Sequence, residues 1–154
     1  MANQKILLPY NFTMNDRKVL EFVIRTFANQ KDVEITLFNA YTPVPKIEVR
    51  GSPIMRKMAS SMQHLIKKVY EQEAALKAVK QELLQNGFSE NQVYHIFEPR
   101  KKDVALEIID LCLNGQFNVV VINYKQSKVT RFFTANVFTK VVTALKDTTV
   151  CIVT

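Results

Sequence analysis

Glycine is nearly missing from this chain, which has Gly51, Gly87 and Gly115 among its 154 residues and no others. A loop that wraps phosphate groups with its own N–H donors needs several glycines close together, because they approach an anion closely and take positive φ at little cost. No stretch here offers that. Cysteine is almost as scarce. Cys112 falls in a helical pattern and Cys151 in a strand pattern, with no CxxC pair and no Cys/His ligand spacing, so both read as buried free thiols. His64 and His95 have no Cys, Asp or Glu at metal-ligand spacing. No Ser, Cys or His stands in a nucleophile-elbow or triad context, and Glu71 and Glu73, two apart on a helical pattern, do not face each other. The residues point away from an enzyme and away from a bound metal. Long hydrophobic runs are lacking too. The opening MANQKILLPYNFT is too short in its apolar part for a signal-peptide core or a membrane span. A cytoplasmic protein with no membrane partner is expected.

What is present is an ordinary globular composition, 47% hydrophobic and 23% charged. The length suits one domain over residues 1–154, whose folding would bury about 70% of the unfolded chain's surface. Basic residues outnumber acidic ones by 21 to 14, a net charge of +7. They are scattered, however. Lys46, Arg50, Arg56, Lys57, Lys67, Lys68, Lys77 and Lys80 share one long segment with acids, and Arg100, Lys101 and Lys102 form only a short run. This reads as a solvated face, and nucleic acid is not expected as a partner.

Apolar runs bounded by polar residues predict five strands at Lys5–Pro9, Val33–Ala40, Val93–Phe97, Phe117–Ile122 and Thr149–Val153. The first and fourth are continuously apolar, as in strands covered on both faces, and should be central. Helical spacing separates them. Val19, Leu20, Val23 and Phe27 share a face behind a capping box of Thr13 and Asp16. Val104, Ile108, Ile109 and Cys112 do so ahead of Gly115, a natural stop. A last helix is predicted over Asn136–Leu145, with Val137, Val141, Val142 and Leu145 on one face. Strand and helix alternate throughout, which predicts an α/β fold. Its five-stranded parallel sheet takes the order 3-2-1-4-5, with helices on both faces. The switch point then lies between the first and fourth strands, and the loops Tyr10–Asn15 and Asn123–Ala135 flank it.

Pro53–Asn86 is too long to fit simply. As one helix it would run about 51 Å, against a domain diameter of roughly 38 Å. An irregular or separately folded beginning through about Ala59 and a helix from about Ser60 to Gln85 are therefore expected. Met62, Leu65, Val69, Leu76, Val79 and Leu83 recur near a heptad, but Gln72 interrupts it, so a core-facing helix is preferred to a coiled coil. Met55, Met58 and Met62 are expected to fill core space rather than line a pocket.

KILLPYNFT resembles the opening of the universal stress proteins, in which a hydrophobic strand runs into proline, then an aspartate and a small hydroxyl residue. ITLFNAYTP resembles that family's second strand, and VVVINY, a basic loop, a helix and TTVCIVT resemble its fourth strand through its fifth. The chain is identified as a member of this family, and the resemblance implies its adenine nucleotide alpha hydrolase-like fold. In ATP-binding members the aspartate contacts the adenosine, and a G-x-x-G, nine residues, G-[ST] loop wraps the phosphates. Here the aspartate position is Asn11, the early glycine positions are Asn123 and Gln126, and the last falls at Ala135 or Asn136. The resemblance thus implies a family member without the phosphate loop: a non-catalytic regulatory or stress-response protein with no cofactor, acting through contacts with a protein partner that the sequence does not name. The alternative is an ATP- or AMP-binding switch that uses Asn11, Asn123, Lys125, Gln126, Lys128, Arg131 and Asn136. The cations of that set adjoin a helix N-terminus, which also favours anions.

Two other architectures of this class fail on their own residues. A phosphoacceptor receiver needs acids after the first strand, where Tyr10 and Asn11 stand, and a flavodoxin-like module needs a small, hydroxyl-rich loop where Asn11-Phe12-Thr13-Met14 is bulky. The last strand, if it is an outer one, exposes an apolar edge. Antiparallel pairing of Thr149–Val153 with a second copy through Val150 and Ile152 would cover it, so a homodimer is expected.

Overall fold

The computed structural model describes residues 3–46, 51, 53–124 and 134–154, the side chains of 134–138 excepted. Five strands, β1 (Gln4–Pro9), β2 (Val33–Tyr41), β3 (Val93–Pro99), β4 (Val119–Asn123) and β5 (Thr149–Val153), alternate with helices α1 (Met14–Phe27), α2 (Pro53–Gln85), α3 (Val104–Asn114) and α4 (Thr134–Ala144). The sheet is parallel throughout, in the order β3-β2-β1-β4-β5. The two continuously apolar strands do lie side by side, with Ile6 opposite Val119 and Leu7 opposite Val120.

Period-two alternation divides the core in two. Ile6 and Leu8 of β1 with Val119 and Val121 of β4 pack against Val19, Leu20 and Val23 of α1 and Leu76, Val79 and Leu83 of α2. Leu7, Val120 and Ile122 point the other way, onto Ala105, Ile108 and Cys112 of α3 and Val141 of α4. Helices therefore cover both faces, α1 and α2 on one and α3 and α4 on the other.

Local signals set the helix ends. Thr13 and Asp16 form the expected capping box. Gly87 ends the turn after α2 at φ 106°, where an added Cβ would lie 2.9 Å from Asn29 Oδ1. Gly115 works differently. Its φ is −86°, and the left-handed residue is Gln116 at φ 55°. The N–H groups of Gly115 and Phe117 donate to the carbonyls of Leu111 (2.8 Å) and Cys112 (3.3 Å), closing the helix. Glycine is needed at 115 because a Cβ would meet the Phe117 ring at 2.5 Å.

Five expectations need correction. α2 is helical from Pro53, with no irregular beginning. Proline is compatible with a helix's first position, and the residues after it are mostly good helix formers. The length conflict is resolved because the helix, about 50 Å long, overruns a sheet whose strands span only about 17–30 Å at 3.3 Å per residue. In consequence the core-facing stripe holds only for Leu76, Val79 and Leu83. Leu65 is exposed, and Met62 and Val69 are half-buried. The methionines likewise fill no core: Met58 is exposed and Met55 half-buried. Val142 does not share the buried face of Val141 and Leu145. Finally, Cys112 is buried, with its thiol pushed up to about 11 by desolvation, whereas Cys151 on the outer strand is only half-buried.

Candidate functional site

The carboxyl ends of β1, β2 and β4 open into a cleft of about 640 Å³, within the usual size range for small-molecule sites. Pro9, Tyr10 and Asn11 supply its floor from β1, and Phe38, Asn39 and Ala40 from β2. One wall is α2, through Leu65, Lys68, Val69 and Gln72, and the other is the start of α3, through Val104 and Ile108. This is the switch point that the strand order predicts.

Asp16 organises the floor. It is 2% exposed, and its Oδ2 accepts hydrogen bonds from the backbone N–H groups of Asn11 (3.0 Å) and Thr13 (3.2 Å) and from the Thr13 hydroxyl (2.8 Å). Its Oδ1 accepts from Asn123 Nδ2 at the end of β4. One carboxylate thus ties the loop after β1 to the end of β4. Between the two donating amides stands Phe12 at φ 59°, a left-handed conformation that is costly for a bulky side chain. The two flanking bonds to Asp16 and an edge-to-face contact with Tyr10, centroids 5.3 Å apart, hold it there.

A second polar chain crosses the cleft. Gln72 Nε2 donates to Asn39 Oδ1 (2.9 Å), and Asn39 Nδ2 donates to the Tyr10 carbonyl (2.8 Å). Asn39 is 3% exposed, so without this pairing it would leave polar atoms buried and unsatisfied. Burial also pushes the Tyr10 phenol up, with Arg17 opposing. Arg17 is held in its charged form by Glu82, to which it donates two hydrogen bonds of 2.7 and 2.9 Å, joining α1 to α2. Lys68 of α2 and Arg100, just past β3, bring positive charge to the rim.

Of the seven candidate residues, the structure brings Asn11 and Asn123 together, both bonded to Asp16. Lys125, Gln126, Lys128 and Arg131 lie outside the described residues. Asn136 falls in the first turns of α4, which starts two residues earlier than expected, and its side chain is not described. Sequence reading missed Asn39, Gln72, Lys68 and Arg100 as site residues and took Asp16 only for a cap. The available signals were an asparagine inside the apolar run LFNAY and a glutamine breaking a heptad. Among the described residues no cluster of three or more His, Cys, Asp or Glu is placed to hold a metal. None of the helices there is long and apolar enough to cross a membrane.

No family model matches the sequence, and no curated protein matches it either. Solved structures do. The chain is similar to hypothetical protein MJ0577 at 17% identity, with 99% of this chain and 96% of that one covered and a TM-score of 0.68. A universal stress protein solved with cAMP is similar at 13% identity, with 100% and 98% covered and a TM-score of 0.64. The universal stress protein of Archaeoglobus fulgidus, solved with dAMP, is similar at 12% identity over the whole of both chains, with a TM-score of 0.62. The five-stranded parallel sheet in the order 3-2-1-4-5 matches these structures, and from end to end the chain has the fold of the universal stress proteins.

Proposed function

We propose that this chain is a single-domain, non-catalytic regulatory protein of the universal stress protein family, acting as a homodimer. The observation that carries the reading is the state of Asp16. At the switch point, where a ligand's phosphates would look for donors, the Asn11 and Thr13 amides and the Asn123 side chain already serve the chain's own carboxylate. Asparagine and glutamine at Asn123 and Gln126 remove the glycines that would cradle a polyphosphate. Isothermal titration tests this: ATP and AMP should show no binding tighter than about 100 μM. Tighter binding of either would sink it.

The dimer rests on the sheet's outer edge. Among the described residues β5 pairs with β4 alone, and Ile152 is exposed. Antiparallel pairing of two such edges would satisfy their free backbone groups. Light scattering on a sizing column should give twice the chain mass, and Ile152→Lys should halve it.

A second reading, a switch that binds an adenine mononucleotide, draws on the cleft's volume and its cationic rim at Lys68 and Arg100. The similar structures solved with cAMP and dAMP lend it weight. In that case Asn11, Asn123, Lys125, Gln126, Lys128, Arg131 and Asn136 would complete the site, and AMP would bind more tightly than ATP.

A further inference from the structure

The first half of α2 has no counterpart to the sheet it leaves behind. Gln72, bonded to Asn39 near the end of β2, marks where the helix passes the sheet. From there back to Pro53 it runs for about 28 Å at 1.5 Å per residue, and no residue in that stretch is buried. Apolar side chains stand in water along it: Ile54 is 72% exposed, Met58 45%, Ile66 43% and Tyr70 67%, and Leu65, at the cleft wall, is 42% exposed.

The stretch is sorted by face. At about 100° per residue its apolar positions, Met55 and Met62 included, fill an arc of roughly 160°. The remaining arc carries Arg56, Lys57, Lys67 and Lys68, all exposed, and residues 53–70 contain no acid at all. The first acid, Glu71, is only loosely paired with Lys67, at 3.9 Å and with both side chains largely exposed. Lys68 and Arg100 meet at the same cleft, so the positive surface continues onto the turn after β3.

We infer that residues 53–70 dock this protein on an anionic membrane surface, the helix lying in the plane of the interface. The chemistry matches on both counts. An apolar arc enters the acyl boundary while flanking cations on long stems reach the lipid phosphates. Tyr70 suits the same boundary, with an apolar ring and a polar tip. A second copy of the helix would cover the apolar arc but leave the cations unanswered, because residues 53–70 of the copy hold no acid either. A nucleic acid would answer the cations and leave the apolar arc in water. Docking of this kind needs no spanning segment.

Flotation of the full-length protein with vesicles separates the cases. Phosphatidylcholine mixed with phosphatidylserine should carry the protein, phosphatidylcholine alone should not, and raised NaCl should release it. Arg56→Gln with Lys57→Gln should weaken partition roughly 25-fold, at about five-fold per charge. Ile66→Glu with Tyr70→Glu should abolish it, with an unchanged circular dichroism spectrum showing that the fold survives. No binding to either vesicle, equal binding to both, or binding untouched by these variants overturns the inference. So does retention on duplex DNA without vesicle binding. A change in oligomeric mass on Ile66→Glu without vesicle binding would overturn it as well and assign the face to a second copy.

Discussion

The two halves of α2 are written in similar letters and live in different surroundings. Leu76, Val79 and Leu83 are buried on the side of the sheet that β2 and β3 form, while Met58, Leu65 and Ile66 are exposed. Apolar spacing sets which side of a helix is apolar. Whether that side is buried depends on how far the sheet reaches.

The largest expected contrast comes from truncating one leucine in each half. Leu83→Ala should cost about 2–5 kcal/mol of unfolding free energy, whereas Leu65→Ala should stay under about 1 kcal/mol, with chemical denaturation as the measurement. Equal losses would mean that the first half is covered in the isolated protein. At the cleft floor, Asp16→Ala removes a cap and leaves the Asn11 and Thr13 amides without their partner. A loss of about 2 kcal/mol is expected. Gln72→Ala, at the boundary between the halves, should cost about 1 kcal/mol by leaving Asn39 Oδ1 buried and unpaired. Ile54→Gln should fall within about 0.5 kcal/mol of the parent. Amide exchange sharpens the same contrast: residues 76–83 should exchange only through global opening and residues 54–64 through local fraying.

Much of the fold could be read from residue order. Ile6-Leu7-Leu8 and Val119-Val120-Val121-Ile122 marked the central pair because only strands covered on both faces carry unbroken apolar runs. Thr13 with Asp16 marked the start of α1 because both groups of a capping box lie within one turn. The site was less open to such reading. The Asn123 link to Asp16 joins residues 107 apart, and the Gln72 link to Asn39 joins residues 33 apart. No local pattern announces either. Nor did the heptad reveal where its own burial stops, because that depends on the length of other elements.

By itself the sequence determined the alternation of strand and helix, the strand order and the absence of a glycine cradle, since each follows from short-range periodicity, connection rules or residue count. Only the tertiary structure decided that the donors at the switch point answer to Asp16, and that α2 overruns its sheet with an apolar, cationic half in water. Both depend on which distant segments meet in space, and neighbouring residues carry no record of that.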